Sequence, residues 1–270
     1  MQTIPVYYIN LASRPDRRAF MERQFAEFGI TAERIEAVRM DEVPRDLLEW
    51  HKTTHSLWRM AEGDLACGFS HQRCWQRLLE SGAAAALVLE DDVQLAASVL
   101  DFLDPELAER LGADLLKLET FHSPVKLGSV SQHVGTTELR ELCSSQMGGA
   151  AYILTRDAAR HSLGSVLRNQ MGIDRFLFGR GGYHLLRSRV LQAIPSPCIQ
   201  IDKLDAASRI GESNIAVTRT RSAARPARDL TAVLGLQLDH VGRLARLAGR
   251  DFAALRGPRV VIPFASAPEP

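Results

Sequence analysis

Apolar and polar positions fall in blocks along most of this chain, and the block lengths switch between those of strands and those of helices. "IPVYYINL" is a short apolar run rich in β-branched and aromatic residues, and it predicts a buried strand. In "SRPDRRAFMERQFAEFG" the apolar residues Met21, Phe25 and Phe28 recur at i, i+4 and i+7, the spacing of one helix face. Ser13 and Asp16 stand at capping-box spacing, and Gly29 closes the helix. "AERIEAVRM" predicts a second strand. The segment from Arg45 to Arg59 is polar and irregular, and its two tryptophans and two histidines suggest an ordered loop. "DLACGFSHQRCWQRLLESG" reads as a helix capped by Asp64 and ended by Gly82. "AAALVLEDDV" and "DLLKLE" are strands, and "GGAAYILTRDAARHSL" is strand, turn and helix. Strands alternating with helices predict an α/β layered domain with a mostly parallel central sheet. Ligands of such sheets bind beyond the carboxyl ends of the strands. Asn10 and the run Glu90, Asp91, Asp92 both lie at such ends.

Composition narrows the picture. With 270 residues, 46% hydrophobic and 24% charged, the chain suits one large domain or two small ones. A net charge of +1 gives no whole-protein attraction for nucleic acid or an acidic partner. Four cysteines without a C-x-x-C pair point to a reducing compartment. No signal peptide is read at the N-terminus and no apolar run is long enough to span a bilayer, so the expected location is the cytoplasm. Charge is nevertheless uneven. Residues 206–270 hold ten arginines against five acids, which leaves the first 205 residues net negative. "DLTAVLGLQLDHVGRLARLAGRDFAALRG" has helical periodicity with arginines between leucines. One or two helices packed on the core, an interfacial helix seeking anionic headgroups, and nucleic-acid contact are all compatible with that pattern. The end, "PRVVIPFASAPEP", is expected to fray.

The acid run carries the chemistry. Three adjacent carboxylates repel one another, and the end of a core strand cannot dilute that repulsion as a loop in water can. Something positive should meet them. Divalent Mn²⁺ or Mg²⁺ prefers carboxylate oxygens and shares them with phosphates and water. Alternation along an extended chain puts Glu90 and Asp92 on one side and Asp91 on the other. In "INLASRPDRR", Arg14, Arg17 and Arg18 follow Asn10 onto the first turns of a helix, where unpaired N–H groups and forked guanidiniums suit a phosphate. Arg18 reads as solvated. In "GFSHQRCW", His71 shares a helix face with Cys67, Cys74 and Leu78, so it is either a core histidine or a site residue; the Cys and His positions make a poor zinc site.

Five segments in register, "YYINLASRPDRRAFMERQF", "GFSHQRCWQRLL", "ALVLEDDV", "GGAAYILTRDAARHSL" and "GID" followed by "PSPCIQ", resemble glycosyltransferase family 25. That family includes bacterial lipopolysaccharide-type β-galactosyl- and glucosyltransferases. The likeness covers about residues 4–215, with "ASRIGESNI" near its end, and divides the chain into a glycosyltransferase domain (1–215) and a basic helical extension (216–270). The resemblance implies an A-type glycosyltransferase fold, a UDP-sugar donor, a glycan acceptor such as lipopolysaccharide, no nucleic-acid partner, and transfer with inversion. It implies Asp92 as the direct metal ligand, Glu90 as its support and Asp91 facing the ribose. It implies that Asn10, Leu11, Arg14 and Arg17 line the nucleotide pocket, that Ser70 and His71 lie by the donor, and that Gly148 and Gly149 let the backbone approach a sugar. Asp174 matches the position of a general base, against its alternatives as a helix cap or a metal or acceptor contact. Gln72 and the glycine-free "AVRMDEV" depart from the family pattern, the second beside the donor site. A metal-dependent nucleotidyltransferase and a non-catalytic glycan- or nucleotide-sugar-binding protein are the rival classes.

Overall fold

The computed structural model describes residues 3–53, 60, 62–165, 171–204 and 230–265. The elements that build the site are β1 (Val6–Asn10), α1 (Pro15–Phe28), β2 (Ala32–Glu36), α2 (Arg45–Thr53), α3 (Glu62–Ser81), β3 (Ala85–Glu90), β4 (Val93–Leu95), α4 (Leu107–Leu111), β5 (Leu115–Lys117) and β6 (Glu119–Thr120). They continue with β7 (Leu127–Val134), β8 (Thr137–Leu142), β9 (Ala151–Thr155), α5 (Arg156–Ser165), α6 (Ile173–Phe178), α7 (Tyr183–Arg187), β10 (Val190–Ile194), β11 (Cys198–Gln200), α8 (Ile201–Leu204) and α9 (Leu230–Arg256).

Eight strands form the central sheet in the order β2-β1-β3-β9-β5-β10-β8-β7. β1 runs parallel to β2 and β3, and β5 parallel to β10, whereas β9 is inserted antiparallel between β3 and β5, and β8 runs antiparallel to β10 and β7. Most strands therefore point one way, as expected, and β9 and β8 make the sheet mixed. Side chains alternate between the faces. Tyr8, Leu87, Leu89 and Ile153 pack with Met21 and Phe25 of α1 on one face. Tyr7, Val88, Tyr152 and Leu154 pack with Trp75 and Leu78 of α3 and Phe176 of α6 on the other. A strand covered on both faces must be apolar throughout, which is why β1 and β3 carry unbroken apolar runs. The result is the α/β layered domain expected, a mixed central sheet covered by helices on both faces.

Several local expectations change. Ser13 and Asp16 form no capping box: α1 begins at Pro15 with Arg14 at the cap position and no side-chain cap bond. Proline at the first helical position removes one of the N–H groups that the helix start leaves unpaired. Gly29 does end the helix in the left-handed region at φ 65°. Asp64 lies inside the first turn of α3 rather than at its cap. Residues 45–53 are helical, not irregular, while 54–59 lie outside the described residues.

The C-terminus also differs from expectation. Val260 bridges Val125, Phe264 bridges Ser196, and Ile262 is fully buried, so residues 260–264 are pinned to the core rather than frayed. α9 breaks at Asp251, whose carboxylate accepts from Ser129 N (2.5 Å) and Ala254 N (3.0 Å) and so restarts the helix. "ASRIGESNI" and the arginines from 209 to 228 lie outside the described residues.

Candidate functional site

The carboxyl ends of β1 and β3, the entry to β9 and the start of α6 meet at one edge of the sheet. Ile9 pairs with Glu90, Asn10 with Glu36, and Glu90 N donates to Ala150 O (2.8 Å). A cavity of about 1100 Å³ opens there. Leu11, Arg14, Arg17, Ser70, His71, Glu90, Asp91, Asp92, Gly148, Gly149 and Asp174 all line it. Of the residues expected at the site, Asn10 alone is set behind the wall.

Arg17 is the protein's own positive partner for the acid run. Its Nη1 lies 2.8 Å from Asp91 Oδ1 and 3.2 Å from Asp92 Oδ2. Burial works against the guanidinium charge, but Asp92 and Asp91 outweigh it and raise the Arg17 pKa. Its Nε is buried and has no hydrogen-bond partner among the described residues. Asp91 is held further by Asn10, whose Nδ2 donates to Asp91 Oδ2 (2.8 Å) and to Arg14 O (3.1 Å). Asn10 thus acts through Asp91. Arg14 pairs with Asp16 at 2.7 Å on the rim.

Glu90 ends β3 while Asp91 and Asp92 form the turn before β4, so that turn, not strand alternation, sets their sides, and Arg17 reaches both aspartates. Glu90 and Asp92 are held more loosely. Gln200 of β11 reaches both, with Nε2 3.5 Å from Glu90 Oε2 and 3.4 Å from Asp92 Oδ1. Their side chains keep 25% and 20% of their surface open to the cavity. Burial, then the charges of Asp91 and Asp174, push Glu90 up to about 7; burial, then Glu90, push Asp92 up to about 7. Glu90 meets neutral groups, and Asp92 shares Arg17 with Asp91 at 3.2 Å, which does not outweigh its burial; both carboxylates offer hard oxygen donors that fit a divalent cation.

His71 and Ser70 turn inward. Ser70 Oγ accepts from Val38 N (2.8 Å) and donates to Ala66 O (2.8 Å), tying α3 to the segment after β2. His71 is fully buried; burial holds its pKa down to about 4, so the ring is neutral. Its Nδ1 meets Tyr152 Oη at 2.8 Å and its Nε2 meets Glu90 Oε1 at 3.4 Å. It is both core histidine and site neighbour. Cys67 Sγ lies 3.9 Å from the same Glu90 oxygen, so Cys67 and His71, set aside from sequence as a zinc site, form a compact Cys/His/Glu group with Glu90.

Gly148 sits at φ 93°, where an added Cβ would stand 1.6 Å from Glu119 Oε1. Only glycine fits that close approach. The loop is braced from behind by a buried pair that sequence reading missed. Lys117 Nζ donates to Gly148 O (2.6 Å) and Glu119 Oε1 (3.4 Å), and Glu119 Oε2 accepts from Ala150 N (2.5 Å) and Ala151 N (3.0 Å). Gly149 faces Asp174, since a Cβ there would lie 3.5 Å from the Asp174 Cα. Asp174 is the second residue of α6, with Gly172 at the cap position making no side-chain cap bond, so its carboxylate is not the N-cap. Lys117, Glu119 and Gln200 carried no motif, because β6 and β11 meet only through long-range pairing.

The family model described as "Glycosyltransferase family 25 (LPS biosynthesis protein)" matches residues 3–177, from before β1 into α6. The chain is 25% identical over 209 residues to the "Lipooligosaccharide biosynthesis protein lic2B" of Haemophilus influenzae, covering 73% of this chain and 76% of that one. It is 31% identical over 166 residues to the "Lacto-N-neotetraose biosynthesis glycosyltransferase LgtE" of Neisseria meningitidis serogroup B, covering 58% and 59%. It is also 29% identical over 186 residues to the human "Inactive glycosyltransferase 25 family member 3", but spans only 31% of that protein. The matched span takes in every residue gathered at the sheet edge from Asn10 to Asp174, and the chain belongs to glycosyltransferase family 25 and is a glycosyltransferase.

Proposed function

We propose that the protein transfers a hexose, galactose or glucose, from a UDP-sugar to a hydroxyl of a glycan acceptor such as lipopolysaccharide, with inversion at the anomeric carbon. The observation that carries this reading is the half-open pair Glu90 and Asp92 on the same cavity wall as Arg17, whose buried Nε has no hydrogen-bond partner among the described residues. A carboxylate pair beside a guanidinium with a donor still to be met suits a metal-bound diphosphate. Asp92 and Glu90 would hold Mn²⁺ or Mg²⁺, which when bound supplies positive charge against the leaving diphosphate. Arg17, with Arg14 on the rim, would donate to phosphate oxygens. Asp91, fixed by Asn10 and Arg17, would face the ribose, and Leu11 the nucleoside. Gly148 and Gly149 would let the backbone approach the sugar. Asp174 would take the proton of the acceptor hydroxyl as that oxygen bonds to the anomeric carbon and the bond to UDP breaks. Ser70 and His71 would act from behind, by holding α3 and Glu90.

A panel of UDP-sugars assayed for UDP release, with and without Mn²⁺, tests this. Metal-dependent release from one sugar, reduced by about 10²–10³-fold in Asp92→Ala, is expected on the scale of losing one preorganised charged group. Stabilisation by UDP without turnover on any sugar or glycan would instead favour the binding protein, a reading kept in view by the relatives named inactive.

Among the described residues no helix is long and apolar enough to cross a membrane. α9 nevertheless exposes Leu234 (60%), Leu238 (64%) and Val241 (61%) at i, i+4 and i+7, within the arginine-rich extension of residues 216–270. This favours a cytoplasmic enzyme held peripherally on an anionic membrane face through that extension. Full-length protein should co-sediment with anionic vesicles and a chain ending at Asp229 should not; equal sedimentation removes the extension from that role.

A further inference from the structure

The Tyr152 hydroxyl has a fixed set of partners, and they set the direction of every hydrogen bond as far as the acid run. Tyr152 is fully buried on β9 and stacks on His71 of α3, with ring centroids 5.7 Å apart. Trp75 Nε1 lies 2.9 Å from the hydroxyl oxygen and His71 Nδ1 lies 2.8 Å from it. No third partner is found among the described residues. An indole nitrogen can only donate. Trp75 therefore donates to the Tyr152 oxygen, and the hydroxyl proton has one acceptor in reach, His71 Nδ1. A ring that accepts at Nδ1 carries its proton on Nε2, the nitrogen facing Glu90 Oε1 at 3.4 Å. A proton on Nδ1, in the other tautomer or in a doubly protonated ring, would leave the buried Tyr152 proton unsatisfied, which folded proteins avoid.

We infer that Trp75 and Tyr152 are positioning residues: the one-way chain from Trp75 N–H to Tyr152 O–H to His71 Nδ1 fixes the His71 tautomer, so that Nε2–H donates to Glu90 Oε1. This leaves Glu90 Oε2, which shares the Gln200 amide with Asp92, as the oxygen turned to the ligand. The same geometry decides between two uses of one cluster. Cys67 Sγ, His71 Nε2 and Glu90 Oε1 lie within 4.8 Å of one another, close enough to grip a soft divalent ion. That grip needs a lone pair on Nε2, and the Tyr152 proton holds the ring in the opposite tautomer. The consequence for turnover rests on the metal-side role proposed for Glu90; the tautomer does not.

Full-length protein labelled with ¹⁵N-histidine, read by long-range ¹H–¹⁵N correlation, tests the inference without any assay of activity. The His71 signals, identified by their loss in His71→Gln, should show a bare Nδ1 and a protonated Nε2. A protonated Nδ1 in the unmodified protein overturns it. Titration with Co²⁺ should give no thiolate charge-transfer band at Cys67; a band that disappears in Cys67→Ser overturns it too. Tyr152→Phe, if folded, should let both tautomers appear, and an unchanged spectrum counts against the chain. In turnover, Gln at position 71 can keep an N–H near the place of Nε2, so His71→Gln should retain most activity. His71→Phe should lose about 10–100-fold in kcat or metal affinity with acceptor KM little changed, the range seen when an outer partner of a ligand is removed. Equal activity of the two variants would leave His71 without a positioning role. If no sugar is turned over at all, the donor reading fails and the spectrum still decides the tautomer.

Discussion

Two acid clusters lie at the same edge of the sheet, and burial pushes carboxylates in both up to about 7, yet they are built in opposite ways. Glu119 is sealed: its side chain and that of Lys117 have no exposure, its oxygens take two backbone N–H groups and the ammonium, and the Phe178 ring lies 4.3 Å from Lys117 Nζ. Glu90 and Asp92 open to the cavity and rest on amide and imidazole contacts of 3.4–3.5 Å, with one guanidinium, Arg17, 3.2 Å from Asp92 and shared with Asp91. A buried charge is tolerated when local hydrogen bonds and a counter-charge meet it. The sealed cluster meets that condition with the chain's own groups and shapes the Gly148 loop. The open one is left short of them, which is the condition for binding something from outside.

The largest effect should come from breaking the sealed cluster. Lys117→Met strands the Glu119 carboxylate, and urea unfolding should show a loss of about 3–5 kcal/mol. Asp92→Asn, the matching change in the open cluster, should not lower stability. If the two variants lose equally, the distinction is wrong. Next comes Asp174→Asn, which should cut turnover by about 10²-fold or more while UDP affinity, measured by calorimetry, stays as it was. A parallel loss of UDP binding would move Asp174 into the metal or structural group.

A third effect is on pH dependence. Glu90 and Asp92 stand at about 7 in the fold against 4.5 and 3.8 as free groups. A carboxylate raised on folding favours the folded state while protonated, so this contribution is complete below about pH 4 and lost as pH rises through about 7. The melting temperature of metal-free protein should therefore fall from about pH 5 to about pH 8, and fall less in Asp92→Asn. A slope identical in both would show that the open cluster adds nothing to it.

Much of this frame was legible from residues alone. The runs through Tyr7–Ile9 and Ala86–Leu89 marked buried strands, the spacing of Met21 and Phe25 marked a helix face, and the acids after Leu89 fell at the edge where ligands bind. What stayed hidden depends on partners far away in sequence. Arg17 was read as a phosphate contact, but its link to Asp91 and Asp92 spans more than seventy residues of chain. Asn10 and Ser70 were read as lining groups, and their hydrogen bonds run inward to Asp91 and Val38. Periodicity gives no strand direction, so the antiparallel entry of β9 was invisible. The pinned end at Ile262 was missed because nothing local distinguishes a short apolar stretch that frays from one that finds a groove.

The bridge from Arg17 to two aspartates also changes how the site fills. A guanidinium already neutralises part of the negative charge, so an incoming cation meets a corner where it must share or take over a counter-charge already in place. On the proposed function, loading would be an exchange: Asp92, turning to an ion held with Glu90, would release the Arg17 guanidinium to donate to phosphate oxygens. Ion and nucleotide would then each weaken the hold that opposes the other, and their binding would be cooperative.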